Sequence, residues 1–353
     1  MQIYNDDKVR IGTLTGFKER TITTTLSTGD KELVFKYPSH GEMVDLLQEE
    51  YYIRTQTDEY VLKAVEISAE WNKSTAQLNV EELEGAAFSF GFTSQEQTIT
   101  ACLNTAFAGT GWTVGICTVT KKRTIKIESA TSAWDILQEC LDTYRCECQI
   151  DSLHKVVNIF ETIGQDRGCY FVEGLNLRKL TLNSDTYDFF TRIVPIGKDG
   201  LTIEAAVGKA YLENHQYSKK VKTYTWKDER YTNVESLIED ATAKLDEMSK
   251  PYRAYSADVV DLAKVSETYS DILDYGIGDS VTFISKRTNT RAKQRIVKIV
   301  EYPEQVEKNK VELSNTTKSF AEVQKTETEI AKQEAVSIAK SSAKAMIEEY
   351  LSS

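Results

Sequence analysis

Between residues 9 and 90 apolar and polar positions alternate with a period of two, the signature of half-buried strands. The run RTITTTLSTGDKELVFKYP breaks at Thr28-Gly29-Asp30 and predicts a hairpin there. YIRTQTDEYVLKAVEISAEW repeats the pattern around Thr57-Asp58-Glu59, and HGEMVDLLQEEYYI between the two carries a short helical patch. The period changes over 91–165. In TSQEQTITACLNTAFAGTGW, Ser94 followed by Gln97 reads as a capping box, and Ile99, Cys102, Leu103, Ala106 and Phe107 form one apolar helical face that Gly109 stops. A second helix is expected in TSAWDILQECLDTYR. Ser132 and Asp135 cap it, and Ala133, Ile136, Leu137, Cys140, Leu141 and Tyr144 face inward. CECQIDSLHKVVNIFE then reads as a hairpin around Asp151-Ser152.

From about 168 the strand pattern returns. It holds a Pro195-Ile196-Gly197 break and an Asp199-Gly200 turn. TNVESLIEDATAKLDEM is a helix with Val234, Leu237, Ala241 and Leu245 on one side, ended by Pro251. YRAYSADVVDLA, DSVTFISK, TRAKQRIVKIVEYP and NKVELSN follow as strands, enough for a second small barrel. Past Phe320 there is no Gly or Pro, and 319–353 reads as one helix. Its narrow stripe includes Phe320, Val323, Ile330, Ile338 and Met346 at steps nearer 3.7 than 3.5 residues. So thin and Ala-rich a stripe suits packing on copies of itself.

A length of 353 residues suggests two or three domains. The net charge of -11 and pI near 5.1 disfavour general nucleic-acid binding. MQIYNDDKVR holds no apolar export core and no run of 18 apolar residues occurs, so neither Sec export nor membrane insertion is expected. The six cysteines follow no disulfide framework and read as reduced thiols of a chain folded in a cytoplasm.

The chemistry-bearing residues are sparse. His40, His154 and His215 sit in no metal-binding pattern, and no Gly-x-Ser-x-Gly elbow, phosphate loop or carboxylate couple stands out. Catalytic residues, cofactors and metals are therefore expected to be none. Cys140 or Cys146 with a downstream His is the remaining nucleophile candidate. Cys146, Cys148, His154 and Cys169 are the remaining metal candidate. In both cases burial in the core is the simpler reading. The one basic run, SKRTNTRAKQRIVK, reads as a solvated hairpin tip or a contact to an acidic neighbour.

Four segments together resemble the minor structural protein family of siphophages and prophages, the tail-tip hub proteins often called prophage endopeptidase tail or tail-associated lysin. They are LNTAFAGTGWTVG with Thr110, Gly111 and Trp112; SAWDILQECLDTYRCECQIDSLHKVVNIFE; TRIVPIGKDGLTI; and the closing set DYGIGDSVTFI…RIVKIVEYPEQVEKNKVELSN with Gly278, Asp279, Arg295 and Leu313. The match spans roughly residues 1–318.

The resemblance implies a mainly β, α+β fold like phage baseplate hubs, with two tube-type β-barrels. Residues 1–90 and 168–215 would form the first barrel, 91–167 an α/β insertion, 216–318 the second barrel with one helix, and 319–353 a C-terminal helix joining copies. Arg192, Pro195, Gly197, Asp199 and Gly200 would mark the crossing between barrels. Three copies would form a pseudo-sixfold ring in the virion tail tip, made in the host cytoplasm. The ring would join distal tail and tail tube proteins to tip or receptor-binding proteins, and DNA would slide through without specific binding.

Family members often continue into a hydrolase or receptor-binding region, whereas this chain stops at Ser353. No residue matches a catalytic motif, so the endopeptidase activity is not carried over. The rival readings are a cell-wall peptidase and a module binding surface carbohydrate through Trp71, Trp112, Trp134 or Trp226.

Overall fold

A computed structural model describes residues 1–260, 274–287 and 289–316. The C-terminal stripe of Phe320, Val323, Ile330, Ile338 and Met346 lies outside the described residues.

The alternating N-terminal segment forms seven strands: β1 (Gln2–Tyr4), β2 (Arg10–Thr13), β3 (Lys18–Thr25), β4 (Lys31–Pro38), β5 (Tyr52–Arg54), β6 (Glu59–Glu66) and β7 (Trp71–Leu78). The hairpin read at Thr28-Gly29-Asp30 joins β3 to β4, and Gly29 takes the left-handed backbone that this turn requires (φ +70). Leu33, Phe35 and Tyr37 alternate into the core along β4. The helical patch near residue 45 is a single 3-10 turn, Val44–Leu46.

The next segment adds α1 (Glu81–Gly85), β8 (Ala87–Phe88), β9 (Phe92–Thr98), α2 (Ile99–Ala106), β10 (Thr113–Cys117), β11 (Lys122–Ile127), β12 (Thr131–Ser132), α3 (Ala133–Tyr144), β13 (Glu147–Asp151) and β14 (Val156–Phe160). α3 starts with the capping box read from the sequence, and all six of its inward residues are buried. The start of α2 differs from expectation. Ser94 and Gln97 lie in β9, paired with β11, and the helix is capped by Thr98, whose hydroxyl accepts from the Ala101 N–H at 3.3 Å. Both positions are cap-competent, and strand pairing with a distant segment decides between them. The hairpin at Asp151-Ser152 forms as β13–β14.

β15 (Cys169–Val172) and β16 (Leu177–Asp185) follow. A small unit comes next, with β17 (Arg192–Ile196), α4 (Glu204–Val207), β18 (Leu212–Glu213), β19 (Thr223–Lys227) and α5 (Val234–Met248). β20 (Tyr252–Val259), β21 (Ser280–Ser285), β22 (Thr290–Glu301) and β23 (Lys310–Ser314) complete the described chain.

The main sheet runs β16-β20-β23-β22-β3-β4-β7-β6-β5-β1-β2, with β15 and β21 branching from β22. β22 is the shared strand. Its first half pairs with β21, and its second half lies between β23 and β3. β15 and β16, expected beside the strands of 1–90, hydrogen-bond instead to β21 and β20. The path does not close on itself among the described residues.

Three main apolar cores result, and a smaller cluster joins Leu26, Ile163 and Val297. The first joins the N-terminal sheet to the insertion, with Phe35, Tyr60 and Leu62 packed in one cluster with Leu103, Leu137 and Ile159. The second holds Phe171, Tyr255, Phe283, Ile296 and Leu313 under β15–β23. The small unit buries Ile193, Leu237, Ala241 and Leu245 between its three-stranded sheet and α5.

Candidate functional site: the joints between the units

At the end of the insertion Ile163 and Phe160 pack with Val297 of β22, Ile277 and Leu26 in a small apolar cluster. A network of charge fastens the same place. Glu147, at the start of β13 and 4% exposed, faces Arg295 of β22. The guanidinium donates to both carboxylate oxygens, at 2.7 and 3.0 Å. It also donates to the carbonyls of Gly278 (3.0 Å) and Ile163 (2.7 Å). The Ile163 N–H returns a bond of 2.6 Å to Glu147. One step further on, the buried Asp279 carboxylate accepts from the N–H groups of Gln165 (2.6 Å) and Gly276 (2.8 Å). Gly164 and Gly278 meet backbone to backbone, both with positive φ (+81 and +84). A Cβ on either would run into the main chain of the other segment.

The insertion meets the small unit through a second set of ion pairs. Arg123 on β11, 4% exposed, binds Asp240 of α5 (Nε–Oδ2 2.8 Å) and Glu239 (2.8 Å). The Tyr231 hydroxyl adds a 2.7 Å bond to the same Asp240 oxygen. Arg230 reaches Glu139 and Thr143 of α3, and Arg145 reaches Glu247 of α5. A polar groove of about 430 Å³ lies between these elements, with Arg145, Arg230, Arg295, Glu147 and Glu161 on its walls. Its arginines already hold carboxylate partners.

A third joint ties the insertion to the N-terminal sheet. Ser152 and the buried Glu59 exchange hydrogen bonds through the Glu59 main chain, and Asn79 donates to the Glu59 carboxylate at 2.6 Å. Burial pulls the Glu82 carboxyl upward, but Lys155, the Trp112 indole N–H and Lys8 outweigh it and hold the group at about 2.

The nucleophile candidates are not brought together with a base. Cys140 lies on the buried face of α3 with its sulfur 3.6 Å from that of Cys102, and this contact together with burial raises its thiol well above the ordinary range. Burial pushes the Cys146 thiol up to about 12. His154 is exposed and bonds Asp151 at 2.8 Å. Cys148 and Cys169 are buried, and among the described residues no group of His, Cys, Asp and Glu side chains is arranged to hold a metal. No helix among these residues is long and apolar enough to cross a membrane. Of the tryptophans, Trp112 is 3% exposed, Trp134 packs against the first core and Trp226 stacks edge-on with Tyr231. Trp71 lies under the Lys18 ammonium at 3.6 Å.

The five residues expected at a crossing fall within the small unit. Arg192 pairs with Glu213 (2.7 Å) and covers the Tyr211 ring. Pro195 sits on β17 beside Trp226 of β19. Gly197 lies so close to the Tyr231 carbonyl that a Cβ would approach to 2.7 Å, while Asp199 and Gly200 turn the chain with positive φ. The segment 186–251 leaves the main sheet after β16 and returns in β20, which pairs with β16 along its length. Gly278, Asp279 and Arg295 are three of the residues that carried the family resemblance, and they make the first joint. Arg123 and Asp240 had no local signal, because 117 positions separate them.

Two family models match the chain. "Prophage endopeptidase tail" matches residues 165–324, and "Prophage endopeptidase tail domain" matches 92–159. Together they cover more than half of it. Among solved structures, the prophage tail protein gp18 from Listeria monocytogenes EGD-e superposes with a TM-score of 0.69 at 17% identity, over 94% of this chain and 99% of that one. The 43 kDa tail protein of prophage MuSo2 from Shewanella oneidensis gives 0.61 at 11% identity, over 89% and 97%. The tail protein from Neisseria meningitidis MC58 gives 0.60 at 8% identity, over 89% and 94%. These likenesses establish a shared fold. No curated protein gives a significant sequence match.

Proposed function

We propose, from the premise that this chain belongs to the prophage endopeptidase tail family of phage tail proteins, that it is a structural hub of the tail tip. Three copies form a ring of six barrel-like halves, two per chain, which matches a sixfold tail tube to a threefold tip. Distal tail and tail tube proteins stand on one side, tip or receptor-binding proteins on the other, and DNA passes through the bore. The protein works in the virion after synthesis in the host cytoplasm. The excursion from Arg192 through Gly200 hangs the small unit on the outside of this ring.

The observation that carries the reading is the open main sheet. Among the described residues β16 pairs along its length with β20 alone, apart from one isolated bridge between Leu177 and Glu173, and β2 pairs with β1 alone. β16 is nine residues long, holds no Pro and leaves Leu182 half-exposed. Natural proteins blunt or cover such an edge. Edges that differ from one another on one chain favour head-to-tail contacts, which close into a ring where the rotation between copies closes. The net charge of -11 suits a bore that must not retain a polyanion.

A structural role also accounts for the joints, whose charged groups are spent on one another. The test is mass by light scattering with negative-stain imaging of the concentrated chain. Threefold particles with a central hole are expected. A strict monomer at every concentration, alone and with the distal tail protein added, overturns the hub reading.

A further inference from the structure

The hairpin tip Lys286–Lys298 is the basic run that sequence alone picks out, yet much of its charge is already used. Arg287 pairs with Glu173, Lys293 with Asp166 and Arg295 with Glu147. A second basic surface is different. Between Lys209 and Lys227 stand five lysines and one carboxylate, Glu213, which Arg192 holds. Lys219, Lys220 and Lys222 are exposed and make no ion pair among the described residues. They are held on a fixed loop. The Thr191 hydroxyl donates to the Lys220 carbonyl (2.7 Å) and accepts from the Lys222 N–H (3.0 Å), and Gln216 anchors on Asp246 and Ser249 of the α5 terminus. Tyr217 leans edge-on against the buried Phe189 and remains 57% exposed, and Val221 on the same loop is 54% exposed. This is a lysine surface with apolar contact area among its charges, in a chain of net charge -11.

The same chain presents a surface of opposite sign. In the loop between β4 and β5, Glu42, Asp45 and Glu49 are exposed and likewise make no ion pair among the described residues. Neighbouring carboxylates at Glu50 and Glu81 already share Lys63. Unpaired positive charge on this loop of the small unit, and unpaired negative charge on the loop between β4 and β5, is the arrangement that a head-to-tail contact uses.

We infer that the Tyr217–Lys222 loop of one copy docks onto the Glu42–Glu49 loop of a second copy of this chain. The inference rests on the ring reading above and names a contact within it. The tyrosine and valine provide the dry centre and the lysines the polar, orienting rim.

The experiment has two arms on the full chain. Isotope-labelled and unlabelled chains are mixed and treated with a carbodiimide, which condenses a carboxylate and an amine in contact into an amide. Mixed-label links between Lys219, Lys220 or Lys222 and Glu42, Asp45 or Glu49 are expected. In the second arm the concentration midpoint of assembly is measured for a triple K219E/K220E/K222E chain, for a triple E42K/D45K/E49K chain, and for the two mixed. Either reversal alone is expected to weaken assembly by about tenfold or more, because like charges then face each other, and mixing the two restores mixed pairs. Unchanged melting temperatures confirm that the exposed substitutions leave the fold intact. Assembly that ignores both reversals, or cross-links that join other segments, overturns this contact and leaves the ring standing. No assembly of the unaltered chain, alone or with the distal tail protein, overturns both.

Discussion

Arg295 and Glu147 stand 148 positions apart in the chain and meet through two hydrogen bonds of 2.7 and 3.0 Å. Arg295 belongs to the strand that joins the two halves of the main sheet, and Glu147 to the insertion. The pair also fixes the exit of the insertion, because Ile163 donates its N–H to the carboxylate and gives its carbonyl to the guanidinium. One ion pair therefore sets where three segments cross.

Removing one partner leaves the other charge buried and unpaired. Arg295→Met or Glu147→Leu alone is expected to destabilise the chain by about 3–5 kcal/mol. Arg295→Met combined with Glu147→Leu should cost clearly less than the sum of the single changes, since neither charge is then stranded. Urea unfolding of the four chains forms the cycle. Single changes that cost under about 1 kcal/mol would place the pair among ordinary surface ion pairs and dissolve the joint.

The glycine contact gives an internal comparison. Gly16 and Gly278 both have positive φ, but a Cβ at Gly16 meets nothing within 4 Å, while one at Gly278 would lie 2.5 Å from the Ile163 carbonyl oxygen. Gly16→Ala is expected to cost about 1 kcal/mol, the backbone strain alone. Gly278→Ala must add a displaced main chain and should cost at least twice as much. Equal losses in thermal melts would show that the crossing has room to spare.

Arg123 can be tested for what it joins as well as for how much. Arg123→Ala strands Asp240, which is 3% exposed, and loosens α5 from the insertion, leaving Arg145–Glu247 as its remaining ion pair there among the described residues. Limited proteolysis is expected to cut the variant sooner within 186–251 than elsewhere, as a loosened unit opens locally. Tyr231→Phe removes one bond to the same carboxylate and should cost about 1 kcal/mol without changing the cleavage pattern. Identical digestion of wild type and Arg123→Ala would mean that the small unit is held by other contacts.

The sequence showed its local rules well and its distant ones poorly. Ser132 and Asp135 announced α3 because a capping box is complete within four residues. The turn at Gly29 was equally local. Ser94 misled because the strand it belongs to is chosen by β11, nearly thirty residues on. The pairing of β16 with β20 hides behind the whole small unit, and nothing near Arg123 points to Asp240. Gly278, Asp279 and Arg295 were visible as family-like residues before any physical reason was available. The reason is the joint, which needs a bare backbone at one position and a fork of donors at another.

Asp30 predicts a pH effect of unusual sign. Burial lifts its carboxyl from 3.8 to about 6, with the Lys31 N–H pulling the other way and Glu32 and Glu84 adding to the rise. Between those two values the folded chain keeps a proton that the unfolded chain has released. This group's contribution to stability therefore falls as pH rises through the window and is level above about 6. Asp30→Asn removes the cost of burying the charge. The variant should match wild type near pH 3.5 and exceed it by about 1–2 kcal/mol at pH 7, less than the full shift would give because water still reaches the group. Glu82, held at about 2, works in the opposite direction below pH 4.5, but it is present in both chains and cancels in their difference. Urea unfolding of both chains across this range decides the matter. A difference independent of pH, or one in which wild type gains on the variant as pH rises, would show that the Asp30 carboxylate is stabilised where it stands.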